Sequence, residues 1–208
     1  MWKLAIYNRK GGPGKSTTGM CLAVVAAEKQ RVAIVDADPQ GSVVAWSRKR
    51  ERDDDPRVLA ASLLRLPEAL AAADAEGYDG ALVDLPGSYG LDEIDALVRS
   101  KVDLVVVPVR PTALDLAASR STLEALVAKN LRAVVLLTQV RTRGREANEI
   151  REALSRSAPV LKSELGERVA FQFAITGGMG VTESDPHSTA ADEVRALFAE
   201  IRRTLRGK

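Results

Sequence analysis

The sequence holds one cysteine and one histidine in 208 residues. A lone Cys21 cannot close an internal disulfide, which points to a reducing compartment, and it cannot hold a metal cluster. It falls in an apolar helical stretch and reads as a small core residue. With His187 as the only histidine, neither a Ser-His-Asp set nor a zinc-ligand set can be assembled. His187 precedes a helix and reads as a solvated loop residue. Aromatics are scarce, with three Phe, three Tyr and two Trp, so the core must be built from Ala, Val, Leu and Ile. No apolar run approaches the ~18 residues that span a bilayer. Met1-Trp2-Lys3-Leu4 leads straight into a strand with no signal peptide. The expectation is a soluble, cytoplasmic protein without stable membrane association. Excess charge is also lacking, with a net charge of +2. Cations run without acids from Arg132 to Arg145 and from Arg202 to Lys208, as either solvated surface or a DNA-facing patch.

What is present is apolar and periodic. Hydrophobic residues make up 46% of the chain, and its length suits a single domain spanning residues 1–208. Continuous apolar runs at Lys3–Tyr7, Arg31–Val35, Ala81–Val83, Leu104–Val109 and Ala133–Leu137 predict strands buried on both faces. Weaker candidates lie at Val58–Ala60 and Val160–Leu161. Helix-length segments occupy Lys15–Glu28, Ser42–Arg50, Leu66–Glu76, Leu91–Ser100, Leu114–Lys129, Glu146–Ser157 and Thr189–Arg206. Thr189 with Asp192 predicts a capping box for the last. The alternation predicts a three-layer α/β fold, a doubly wound, mostly parallel sheet with helices on both faces.

Three strand ends carry chemistry. Asn8-Arg9-Lys10-Gly11-Gly12-Pro13-Gly14-Lys15-Ser16-Thr17 follows one strand and opens a helix, the context of a phosphate-binding loop. Gly11, Gly12 and Gly14 let backbone N–H groups turn toward phosphate oxygens, beside the positive end of the helix. Lys15 would reach the β- and γ-phosphates of ATP or ADP, Ser16 would offer a hydroxyl to Mg²⁺, and Thr17 would reach the α-phosphate. The common pattern has glycine where this chain has Arg9, followed by Lys10. The second piece, Asp36-Ala37-Asp38-Pro39-Gln40-Gly41, brings two carboxylates from a strand end. Capping of the next helix is the bland reading of that pair. The third, Leu82-Val83-Asp84-Leu85-Pro86-Gly87, has the form of an apolar strand ending in a carboxylate that holds Mg²⁺ through water. The Gly87 N–H would meet the γ-phosphate. An Asp at a strand end is weakly specific alone; three such pieces in this order are strongly specific.

With these residues the sequence resembles the ParA/MinD family of deviant Walker A ATPases. Residues 10–16 match K-G-G-x-G-K-[ST], residues 36–40 match D-x-D-P-Q, and residues 84–87 approximate D-x-P-P with glycine as the last member. Val107–Thr112, Ala174–Gly180 and Ser188–Ala191 resemble further family segments, so the likeness covers nearly the whole chain. It is nearest to the small plasmid-partition proteins that lack an N-terminal helix-turn-helix domain. Phe171-Gln172-Phe173-Ala174 has no counterpart, which leaves the adenine contacts open. The resemblance implies a nucleotide-sandwich homodimer in which Lys10 reaches the partner subunit's ATP. Asp38 would position the attacking water and join Ser16 and Asp84 around Mg²⁺, and Pro13 would complete the ATP-binding loop. It further implies slow ATP hydrolysis, non-specific binding of duplex DNA on the nucleoid in the ATP state, and stimulation by a small centromere-binding ParB/ParG-like protein. Candidate DNA-binding cations are Arg141, Arg143, Arg145, Arg202, Arg203 and Arg206.

Two rival functions follow from other features. Val194, Leu197, Phe198, Ile201 and Leu205 make the last helix amphipathic, with arginines around the apolar face. Such a helix can lie on anionic lipid, as a MinD-like membrane-cycling ATPase would need, or close the fold by packing on the sheet; a protein-cargo positioning ATPase belongs to the same alternative. A metabolic phosphate-loop enzyme would want a substrate pocket, and a metal-cluster carrier would want cysteines.

Overall fold

The computed structural model describes residues 1–50, 56–87, 92–141 and 145–207. Its strands are β1 (Trp2–Ile6), β2 (Val32–Asp36), β3 (Arg57–Ala60), β4 (Gly80–Asp84), β5 (Leu104–Val109), β6 (Ala133–Val140) and β7 (Val160–Gly166). They form one sheet in the order β3-β2-β4-β1-β5-β6-β7, with every pairing parallel. The helices are α1 (Lys15–Ala27), α2 (Ser42–Ser47), α3 (Leu66–Ala75), α4 (Asp92–Arg99), α5 (Ala113–Ala128), α6 (Arg145–Ser155), α7 (Val169–Thr176), α8 (Val181–Ser184) and α9 (Thr189–Arg206).

The sheet divides the core in two because side chains alternate along each strand. From β1, Leu4 and Ile6 join Leu22 of α1, Trp46 of α2, Ala174 of α7 and Leu197 and Ile201 of α9. Ala5 and Tyr7 face the other way, toward Leu70, Ile94, Leu97, Leu123, Leu126 and Leu154 on α3 to α6. Each fully buried leucine or isoleucine contributes about 1.5–3 kcal/mol. The doubly wound fold expected from the sequence is borne out, and its sheet is wholly parallel.

Three differences have physical reasons. The weak candidates at Val58–Ala60 and Val160–Leu161 are the edge strands β3 and β7. An edge is half covered, so its residues need not be uniformly apolar, and β7 mixes buried Leu161 and Leu165 with exposed Lys162. Helices α7 and α8 were not anticipated; both are shorter than the periodicity test can resolve. The capping box at Thr189 and Asp192 is corrected: Ser188 is the cap, and its Oγ accepts from the Ala191 N–H at 3.2 Å.

Because all strands run the same way, β1, β2, β4, β5 and β6 deliver their C-terminal ends to one rim. Chain order reverses about β1, whose neighbours are β4 and β5. A crevice at such a reversal is where parallel α/β sheets bind ligands.

Candidate functional site

The loop from Asn8 to Gly14 crosses this crevice. Gly12 and Gly14 have φ of 93° and 82°, a region that side-chain-bearing residues avoid, and Gly14 is the residue before α1. This lets the loop curl over the helix start, where unpaired N–H groups would suit an anion. The far side of the loop is anchored from β6: Thr138 Oγ1 donates to Pro13 O and Gln139 Nε2 to Gly12 O, each at 2.9 Å.

Lys15 is 8% exposed, and its Nζ donates to Lys10 O at 3.3 Å. Burial lowers its pKa, opposed by the nearby charges of Asp84 and Asp38. Asp84, at the end of β4, is fully buried. Burial pushes its carboxyl up to about 7; a Ser16 hydrogen bond and Lys15 pull it down, while Asp36 and Asp38 push it further up. Among the described residues neither Asp84 oxygen finds a hydrogen-bond partner at good geometry. A buried carboxylate so lightly engaged, beside a serine hydroxyl and near a lysine, fits a divalent cation with oxygen ligands. Ser16 and Asp84 would hold Mg²⁺, which would neutralise phosphate charge there.

The two carboxylates after β2 divide their duties. Asp36 is buried and caps α2, accepting from the N–H groups of Val43 at 3.0 Å and Val44 at 2.9 Å. The bland reading of the pair therefore holds for Asp36. Asp38 is half exposed at the rim, and its Oδ1 accepts the local Gln40 N–H at 2.9 Å. Gly87 lies directly over the loop. A Cβ there would stand 2.8 Å from Lys15 Nζ and 3.3 Å from Arg9 O, so glycine lets the backbone after Asp84 approach Lys15.

Lys10 is held within its own subunit. Its Nζ lies 2.6 Å from Asp115 Oδ1, at the start of α5 of its own subunit. Arg110 Nε and Thr112 Oγ1 also donate to Asp115, at 2.9 and 2.7 Å.

Beside the loop opens a cavity of about 350 Å³ between α1 and the β7–α7 segment. Pro13, Thr17, Leu165, Phe171, Gln172 and Ile175 line it. Sequence reasoning missed these α7 residues. The sequence offered no signal for them, because α7 is too short to show a period; in the fold 171, 172 and 175 share one side of it, while Phe173 is 69% exposed.

The candidate arginines whose side chains are described, Arg141, Arg202, Arg203 and Arg206, do not form one patch. Arg141 follows β6 at the rim of the phosphate loop, where its Nε lies 2.6 Å from Glu167 Oε2. Arg145 opens α6 at that end, and Arg143 lies outside the described residues. Arg202, Arg203 and Arg206 stand at the far end of α9, an 18-residue helix about 27 Å long at 1.5 Å per residue. There Arg202 stacks over Trp2, at the opening of β1. The apolar stripe of α9 is buried in the core, and among the described residues no helix is long and apolar enough to cross a membrane.

The family model described as VirC1 protein matches residues 1–205. The chain belongs to the VirC1 family. The expected likeness to the ParA/MinD group is thereby borne out, and individual relatives agree. Protein virC1 of Rhizobium rhizogenes is 33% identical over 191 residues, 85% of this chain and 81% of the relative. Maintenance of carboxysome distribution protein A of Halothiobacillus neapolitanus is 29% identical over 207 residues, 95% of either chain. The septum site-determining protein MinD of Pyrococcus horikoshii, solved as a complex with Mg-ADP, matches with a TM-score of 0.79. At 18% identity, across 99% of this chain and 97% of that one, the match speaks for the shared fold.

Proposed function

We propose that this VirC1-family protein is a slow MgATP hydrolase that works as a dimeric switch and positions a cargo along DNA. One observation carries the reading: a single loop bears two lysines with different surroundings. Lys15 is buried against Asp84 and serves the phosphates of its own subunit. Lys10 stands at the rim on a carboxylate that keeps other partners when Lys10 leaves. In a dimer joined through the rims, Lys10 reaches the partner's phosphates and adds charge where the transition state needs it. Asp38, half exposed and lightly engaged, orients the attacking water. The N–H groups of Gly11, Gly12 and residues 14–17 cradle the phosphates, Pro13 stiffens the loop between them without donating, and the Gly87 N–H lies above. The adenine ring occupies the cavity of Phe171, Gln172 and Ile175.

The cargo follows the family. One relative is named for maintenance of carboxysome distribution and others are VirC1 and ParA, and on that likeness we read the cargo as a DNA or protein body. A small ParB/ParG-like protein would stimulate hydrolysis and release the dimer from DNA. The burial of the α9 stripe favours DNA over membrane as the surface. Titration calorimetry with MgATP tests the foundation. Wild type should bind, and Lys15→Ala should bind at least about tenfold more weakly, a loss of ~1.4 kcal/mol. Equal binding by Lys15→Ala would remove the phosphate-loop assignment.

A further inference from the structure

Asn8 is the last residue before the Lys10 loop segment and is 1% exposed. A side-chain amide has two donor hydrogens and an oxygen with two lone pairs. All four are used. Nδ2 donates to Pro108 O at 2.8 Å and to Ser119 Oγ at 3.1 Å. Oδ1 accepts from the Lys10 N–H at 3.1 Å and from Thr122 Oγ1 at 3.3 Å. The partners fix the orientation of the amide, because the Pro108 carbonyl only accepts and the Lys10 N–H only donates.

Two of these partners stand on α5, the helix that also holds the Lys10 side chain. Asp115, Ser119 and Thr122 recur at helical spacing and are all buried, forming one polar stripe. Along this stripe Asp115 meets Lys10, Ser119 meets Asn8, and Thr122 meets Asn8 and, at 3.4 Å, the Arg9 N–H. Leu123 and Leu126 already hold α5 on the sheet through apolar contact. A buried polar network adds something packing does not supply: it fixes one geometry.

We propose that Asn8 is a positioning residue for Lys10, referenced to α5 through Ser119 and Thr122. The same amide oxygen binds the α5 hydroxyl and the Lys10 N–H. The backbone from which the Lys10 side chain departs is therefore set by α5. So is the arc its Nζ sweeps between Asp115 and the open rim. The inference rests on the cross-subunit reading of Lys10 given above.

The test uses the full chain and two readouts: binding of fluorescent MgADP, and mass by light scattering with a non-hydrolysable ATP analogue. Asn8→Asp keeps the shape but turns an acceptor toward the Pro108 carbonyl. Thr122→Val keeps the shape and removes the hydroxyl, and Thr122→Ser restores it. Asn8→Asp and Thr122→Val should bind MgADP within about threefold of wild type and dimerise at least about tenfold more weakly, with Thr122→Ser recovering dimerisation. If Asn8→Asp does not fold, the Thr122 pair decides. Dimerisation at the wild-type level by Asn8→Asp and Thr122→Val overturns the inference. So does a parallel loss of MgADP affinity, which marks a merely structural role. Wild type and Lys10→Ala run alongside. If wild type does not dimerise, or Lys10→Ala dimerises like it, the cross-subunit reading has failed and this inference falls with it. If both controls behave, a negative result for Asn8 strikes the positioning role alone.

Discussion

Lys10 Nζ and Asp115 Oδ1 lie 2.6 Å apart within one subunit, and the carboxylate is 3% exposed. Burial works against the ionised form of Asp115, but hydrogen bonds from Lys10, Thr112 and Arg110 outweigh it and hold the pKa below the usual aspartate value. When Lys10 departs, Arg110 and Thr112 remain, so no buried charge is left without a partner. The pair therefore restrains Lys10 without making its release prohibitive.

Loosening that restraint should favour the dimer. Asp115→Asn keeps the shape and a contact with Thr112 while removing the charge that holds Lys10. The protein concentration for half-maximal ATP-driven dimerisation should fall by about three- to tenfold, equivalent to ~1 kcal/mol. Analytical ultracentrifugation over a dilution series measures it. An unchanged or weaker dimer would mean that the contact does not hold Lys10 back.

Asp84 gives the metal-free protein a pH dependence. Its carboxyl is raised from 3.8 to about 7, so the folded state holds the proton more tightly than the unfolded chain. The associated stability is complete below about pH 4 and is lost as pH rises through about 7, up to roughly 4 kcal/mol in all. Thermal unfolding in a chelator should show wild type losing stability from about pH 5 to about pH 8, with Asp84→Asn losing less. Mg²⁺ should restore more at the alkaline end, where the carboxylate is ionised. Equal losses in the two proteins would assign the titration to another group.

Much of this site was legible in the sequence because its residues are local. Gly12 and Gly14 set the backbone of one loop, Lys15 and Ser16 follow them directly in the chain, and Asp84 ends an apolar strand. The central strands were legible because burial on both faces requires continuous apolar runs; β3 and β7 were faint because edges do not. The Lys10–Asp115 contact was not legible, since its partners come from β1 and α5 and meet only because β1 and β5 are neighbours. Phe171, Gln172 and Ile175 escaped for a similar reason: α7 is too short to show a period, and its cavity exists only where it faces α1. The division between Asp36 and Asp38 needed coordinates as well, because both follow β2 with the same chemistry.

DNA binding should be dimer-dependent and weaken steeply with salt, because phosphate contacts release counterions. The candidate arginines occupy two ends of the molecule, so their substitutions should separate. The double variant Arg203→Ala, Arg206→Ala and the single variant Arg141→Ala each preserve the nucleotide loop. One of the two should weaken binding at least about fivefold and reduce the salt slope, and the other should leave both nearly unchanged. Fluorescence anisotropy with random-sequence duplex at several salt concentrations distinguishes them. Equal, additive losses from both ends would contradict a single DNA-facing surface.

The most direct test compares wild type, Lys10→Ala and Asp38→Ala by light scattering with MgATP, beside duplex DNA binding. Wild type should reach twice the monomer mass with ATP and remain monomeric with ADP. Asp38→Ala should hold ATP unhydrolysed and persist as a dimer on DNA. Lys10→Ala should remain a monomer and lose DNA binding with dimerisation. A Lys10→Ala protein that dimerises on ATP and binds DNA as wild type does would contradict the cross-subunit switch and leave an ordinary phosphate-loop ATPase.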